Sequence, residues 1–177
     1  DNMSGDASQQ YLSDGITEDI ITELSRFREI SVAARHASFH YGGKGADLHQ
    51  LARDLGVRYV VEGSVRKSAE RLRITAQLVD AKSGNHIWAE RYDRDARDIF
   101  AVQDEVVSAI AATLAGRTVA AAAELARRPA ASWSAYDCLL QGRELCNYFR
   151  ERDAIPFFVR ATTIEPNFAQ AQAWLAL

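Results

Sequence analysis

Residues 57–93, VRYVVEGSVRKSAERLRITAQLVDAKSGNHIWAERYD, constrain the fold more than any other stretch. Val57, Tyr59, Val61, Gly63 and Val65 alternate with Arg58, Glu62, Ser64 and Arg66, and Val60 is the exception. Past a polar break at residues 68–70, Leu72, Ile74, Ala76 and Leu78 alternate with Arg73, Thr75 and Gln77. After a second polar run at 80–85, Trp88 and Tyr92 share one face of a third segment. Apolar residues at every second position with polar turns between them predict three strands, at about 57–68, 71–80 and 86–93. They form an antiparallel meander with one face buried. Its register should be firm, because a one-residue slip would turn Leu72 and Ile74 outward. Arg58, Glu62, Arg66 and Arg71 suit solvated cross-strand pairs better than a binding site.

The flanking segments read as helices. Asp14 is a good N-cap, with Ile16, Ile20, Ile21, Leu24 and Phe27 following on one face, which predicts a helix at about 14–27. Glu18, Asp19 and Glu23 fall elsewhere and read as a solvated face complementing the helix dipole rather than as an acid/base pair. Residues 30–35 predict a short buried strand. Asp47 and Gln50 have capping-box spacing, and Leu48, Leu51, Ala52 and Leu55 form a stripe that Gly56 ends, which predicts a helix at about 47–55. Asp98 opens a further helix in which Ile99, Val102, Val106, Ile110 and Leu114 recur at spacings of three and four. The alanine-rich run carries it to about residue 127, with Gly116 a weak point. The expected fold is a two-layer α/β domain over residues 1–127, with helices on one face of a mixed sheet and the meander at its centre. Pro129 marks a linker at 128–133.

Residues 134–177 form a different kind of unit. Counting Ala135 as position 1 of a 34-residue tetratricopeptide repeat places Gly142 at position 8, Ala154 at 20, Phe158 at 24, Ala161 at 27 and Pro166 at 32. Small residues at the first two let antiparallel helices, expected at 134–148 and 151–164, pack closely. Phe158 fills the space between repeats, and Pro166 ends the second helix. Cys138, Gln141 and Leu145 depart from the usual pattern. Ala169 starts a second, truncated repeat, so more repeats are expected in a parent protein.

Chemistry is sparse. The net charge of −3 and the lack of a basic stripe argue against direct contact with nucleic acid. No apolar run suits a membrane span and no signal peptide opens the chain. Cys138 and Cys146 lie eight residues apart in one expected helix, beyond disulfide reach, and read as core-facing or half-buried thiols. Together these features point to the cytoplasm. The glycine-rich loop at 36–45 is the strongest site candidate, with His40, Tyr41 and Lys44 as ligand-facing residues. Its glycine spacing does not match a P-loop. Four dispersed histidines make no metal pattern. No catalytic residue, cofactor or metal is expected.

The run GVRYVVEGSVRKSAERLRITAQLVDAKSGNHIWAERYDRDARDIFAVQDEV, with YLSDGITEDIITELSRF at residues 11–27, resembles the TolB-like amino-terminal domain of large bacterial regulatory proteins. The resemblance covers about residues 1–120. It implies an adenylate/guanylate cyclase or winged-helix domain upstream and tetratricopeptide repeats downstream. The implied role is non-catalytic: a regulatory segment that binds a protein or peptide partner through its repeats. The alternatives are the effector or oligomerisation region of a winged-helix regulator, and a small-ligand sensor. Both ends read as cuts in a longer protein. In domains of that kind a short apolar strand comes just before the segment matching residues 1–4 and lies in the sheet beside 30–35; without it the open edge should either re-pair with the meander or recruit a second copy as a homodimer.

Overall fold

A computed structural model describes residues 1–41, 47–115 and 132–176. The elements run α1 (Gln10–Leu24), α2 (Arg35–His40), α3 (Leu48–Leu55), β1 (Tyr59–Ser68), β2 (Arg71–Asp80), β3 (Asn85–Asp95), α4 (Ile99–Ala115), α5 (Trp133–Asn147), α6 (Glu151–Ile164) and α7 (Ala169–Leu175). The strands form one antiparallel sheet in the order β1-β2-β3. Val65 pairs with Ile74, and Ile74 with Tyr92. The pairing shifts between Leu78 and Val79.

The buried side of the meander is the one the alternation demands. Leu72, Ile74, Ala76, Leu78 and Tyr92 all lie in the core, with Ile99, Val102, Val106 and Ile110 of α4. Leu12, Ile16, Leu24 and Phe27 from the α1 region complete this layer. At the turn between β2 and β3, the Asp80 carboxylate accepts from the Lys82 N–H at 2.9 Å and the Arg58 side chain at 3.0 Å. The Gly84 N–H closes that turn on the Asp80 carbonyl. Gly63 is required within β1, because a Cβ there would lie 2.7 Å from the Thr75 carbonyl oxygen.

Several boundaries follow local chemistry. Asp47 caps α3, accepting from the His49 and Gln50 N–H groups, and Gly56 ends it in the left-handed conformation at φ 65°. The capping box is half made, since the Gln50 side chain turns to Asp54 instead. Asp14 is not a cap. A 3₁₀ turn over Ala7–Gln9, capped by Asp6, leads directly into α1 and places Asp14 inside the helix.

Among the described residues the sheet is antiparallel, not mixed. Residues 30–34 make no ladder, and the next residues wind into α2. A groove separates them from the β1 edge, and that edge is met at Val65 by a parallel bridge from Asn2. The acidic groups of α1 are not all solvated either: Asp19 is 4% exposed and Glu23 7%. They share the Leu12–Ile16 side of the helix, which faces the carboxy-terminal helices rather than water.

α5 and α6 pack as a pair, and Phe158 stacks on Trp174 of α7 with ring centroids 5.5 Å apart. Extended backbone at Glu165, the residue before Pro166, ends α6. The expected continuation of α4 to residue 127, Gly116 and most of the 128–133 linker lie outside the described residues.

Candidate functional site

Two features stand out. The first is an open groove of about 1210 Å³ bounded by α1, residues 29–33, α3 and β1. Its walls are largely apolar, with Ile20, Leu24, Val32, Leu51, Tyr59 and Val61 among them. Val61 is 39% exposed although it lies in a strand. Phe39 and Tyr41 reach the same groove. The Tyr41 hydroxyl donates to Asp54 at 2.8 Å, which ties α3 to the loop expected to carry a ligand site. The hydrogen bond holds the Asp54 carboxyl below its ordinary range after the Gln50 contact has done the same. Of the other two candidates, Lys44 and the His40 side chain lie outside the described residues.

The second feature is a buried polar junction. The Arg143 guanidinium of α5 donates to Asp19 at 3.0 Å and meets Glu18 at 2.5 Å. The Tyr136 hydroxyl donates to the other Asp19 oxygen at 2.6 Å, and the Gln103 amide donates to Tyr136 at 2.9 Å. Arg35 pairs with the same Glu18 oxygen, Oε2, at 3.0 Å. Burial by itself would lower the Arg143 pKa, but Asp19 and Glu18 outweigh it and the net shift is upward. Burial, reinforced by Asp19, pushes the Tyr136 phenol well above its usual value. Each charge therefore has its partner, and the network joins α1, α4 and α5.

This junction was not visible in the sequence, because Arg143 lies 124 residues beyond Asp19. One signal was present: Leu12, Ile16, Asp19 and Glu23 follow a four-three-four spacing, which sets two acids in an otherwise buried stripe.

The repeat-packing residues are brought together. Ala154 and Ala161 are fully buried, Phe158 nearly so, and Gly142 leaves no room for a side chain against the Phe158 ring. Pro166 lies past the end of α6, where its carbonyl accepts from Gln172. Cys138 is a buried free thiol and Cys146 a half-buried one. Among the described residues no group of His, Cys, Asp and Glu side chains could hold a metal ion, and no helix is long and apolar enough to cross a membrane.

An antiparallel sheet packed with helices, joined by a buried ionic junction to a helical pair, defines an α/β module. Residues 5–109 match the family model described as HilA/YgeH-like transcriptional regulator, second domain, and the chain belongs to that family. Over 183 aligned positions it is 47% identical to "Putative adenylate cyclase 3" of Rhizobium meliloti (strain 1021). That match takes in all of this chain and 31% of the relative, so the chain corresponds to under a third of a longer protein. No solved structure matches the chain.

Proposed function

We propose that the chain is a non-catalytic regulatory and protein-interaction segment of a longer signalling protein of the adenylate/guanylate cyclase type. The observation that carries this is the 47% identity to a cyclase-named protein, which extends through the helical pair as well as the α/β unit. In this reading the α/β unit is a TolB-like hub, and α5–α7 open an array of tetratricopeptide-like repeats. Support for the repeats comes from Gly142 against Phe158, from buried Ala154 and Ala161, and from the stacking of Phe158 on Trp174. The outer face of α6 leaves Ile155 and Val159 exposed, which suits a protein or peptide partner or a further repeat.

The family match favours a second reading, in which the same module serves as the effector region of a transcriptional regulator. One pair of assays on the full-length parent separates them. The first reading expects cyclic nucleotide from ATP or GTP in the parent, none from the 177-residue segment, and altered regulation in an Ile155→Asp/Val159→Asp parent. A parent that shifts duplex DNA and makes no cyclic nucleotide would establish the second reading. Turnover by the segment alone would overturn both.

A further inference from the structure

β3 forms one margin of the sheet, and among the described residues no strand pairs with its outer side. The ladder fixes which of its backbone groups point outward. The Val65 N–H donates to Asp1 and its carbonyl accepts from Met3, so both turn away from β2. Ile74, opposite Val65, therefore turns its own groups to Tyr92. The Ala96 N–H keeps that phase, donating to the Glu70 carbonyl at 2.8 Å. Ala89, Arg91, Asp93 and Asp95 are left to present N–H and carbonyl groups at the margin. This row is bounded at both ends. Ile87 is an extra residue, since Trp88 faces Leu78 and His86 faces Val79, and a 3₁₀ turn begins at Ala96. The midpoint of the row is Tyr92. Around it stand Glu90, Arg91, Asp93 and Arg94, whose charges reverse sign about the midpoint. Glu90 mirrors Arg94, and Arg91 mirrors Asp93. Their side chains reach solvent, Arg91 at 64% exposure and Arg94 at 47%.

We infer that β3 pairs antiparallel with β3 of a second copy of this chain, about a two-fold axis at Tyr92. In that register Arg91 faces the partner's Asp93 and exchanges both backbone hydrogen bonds with it, twice by symmetry. Glu90 faces the partner's Arg94 in the closer, non-hydrogen-bonded kind of pair. Moving the axis to Glu90, Arg91 or Asp93 would instead set a charge against its own copy. Charges on an edge ordinarily keep other strands away, and four in five residues would repel an arbitrary strand. Here a single register turns all of them into attractions, which selects this chain as its own partner. Each new contact also extends a pair already made. Asp93 holds Arg73 at 2.5 Å and Arg91 at 3.2 Å within its own chain, and Arg94 lies 3.8 Å from Glu105. Pairing would join the two sheets into one continuous antiparallel sheet. At roughly 3.3 Å per residue the shared edge is only about 23 Å long. That is short for a permanent dimer, so the association should be reversible.

Sedimentation equilibrium on the 177-residue protein should show monomer passing to dimer between about 10 μM and about 1 mM. Over that range amide exchange at Arg91 and Asp93 should slow by about tenfold or more, while the Val61 amide on the opposite margin does not slow. Two charge variants then test the register. Glu90→Arg/Asp93→Arg makes the edge wholly positive, and Arg91→Glu/Arg94→Glu makes it wholly negative. Each alone should dimerise at least about tenfold more weakly than the unaltered protein. Mixed in equal amounts they should form a one-to-one dimer, because every facing pair is again of opposite sign. A protein still monomeric at about 1 mM would overturn the inference. So would a dimer indifferent to both charge sets, or variants that stay apart when mixed. Slowing at Val61 in place of Arg91 would overturn it too, by moving the contact to β1.

Discussion

Asp19 shows how much one side chain can depend on distant sequence. Its carboxylate is held by Arg143, Tyr136 and Gln103, all from elements that come after the whole sheet. Removing one partner of a buried ion pair leaves the other charge uncompensated, which typically costs about 3–5 kcal/mol. Asp19 keeps two neutral donors, so Arg143→Met should destabilise by about 3 kcal/mol in urea melts. Adding Asp19→Asn should recover part of that loss, and a double variant no better than the single would show that the charge is not the cause. Tyr136 gives a pH signature from the same cluster. Its folded pKa lies well above the ordinary value of 10.0. Above pH 10 the unfolded chain therefore releases the proton while the fold retains it, so stability is intact below that pH and falls as pH rises beyond it. Burial raises Tyr11 and Tyr92 in the same direction. The loss of Tm between pH 9 and 11 should become shallower, but not vanish, in Tyr136→Phe.

At the scale of elements, legibility tracked how local the determining contacts are. The strands of the meander lie within a few residues of their expected positions, because Leu72, Ile74, Ala76 and Leu78 can be buried together only in a period-two arrangement. The helix pair was equally legible from Gly142, Ala154 and Phe158. Residues 30–35 were misread because an apolar run shows β-propensity but not whether an edge is available to it, and here the β1 edge is occupied at Val65 and open beyond. Helix α2 carried no apolar stripe long enough to announce it. The glycines of α1 and α5 give a matched test. A Cβ on Gly142 would stand 2.5 Å from the Phe158 ring, which is itself stacked on Trp174 and has little freedom to move. Gly142→Ala should therefore cost about 1–3 kcal/mol despite the better helix propensity of alanine, and Gly142→Leu more. A Cβ on Gly15 would crowd the two methyls and the Cγ of Leu140, a single aliphatic side chain that can turn more readily than a stacked ring. Gly15→Ala should be closer to neutral. Equal Tm losses for the two alanine variants would contradict this account of the α5–α6 contact.

For the molecule as a whole, the question is whether the sheet domain and the helical pair fold as one. The family match ends at residue 109 and the helical pair begins at Trp133, so the sequence suggests two units. The contacts between them argue for one. Tyr11 donates to Asp137 at 2.7 Å, the Lys67 ammonium lies 4.8 Å from the Trp133 ring centre, and Phe100 meets Tyr136 edge-on at 4.6 Å. These flank the Asp19–Arg143 junction, and Ala135, Tyr136, Leu139 and Leu140 belong to the same apolar cluster as Ile99 and Val106. Separating the pair would expose those side chains and leave Asp19 and Glu18 without Arg143, a cost too large for the α/β unit to remain folded unchanged. The native protein should therefore melt in a single calorimetric transition, with van't Hoff and calorimetric enthalpies equal. Amides in α5 and β2 should share one global exchange free energy. Arg143→Met should lower that common value in both elements alike. Two resolved transitions, or α5 exchanging well ahead of β2 in the unaltered protein, would show instead that the helical pair is an independent unit docked on the sheet domain.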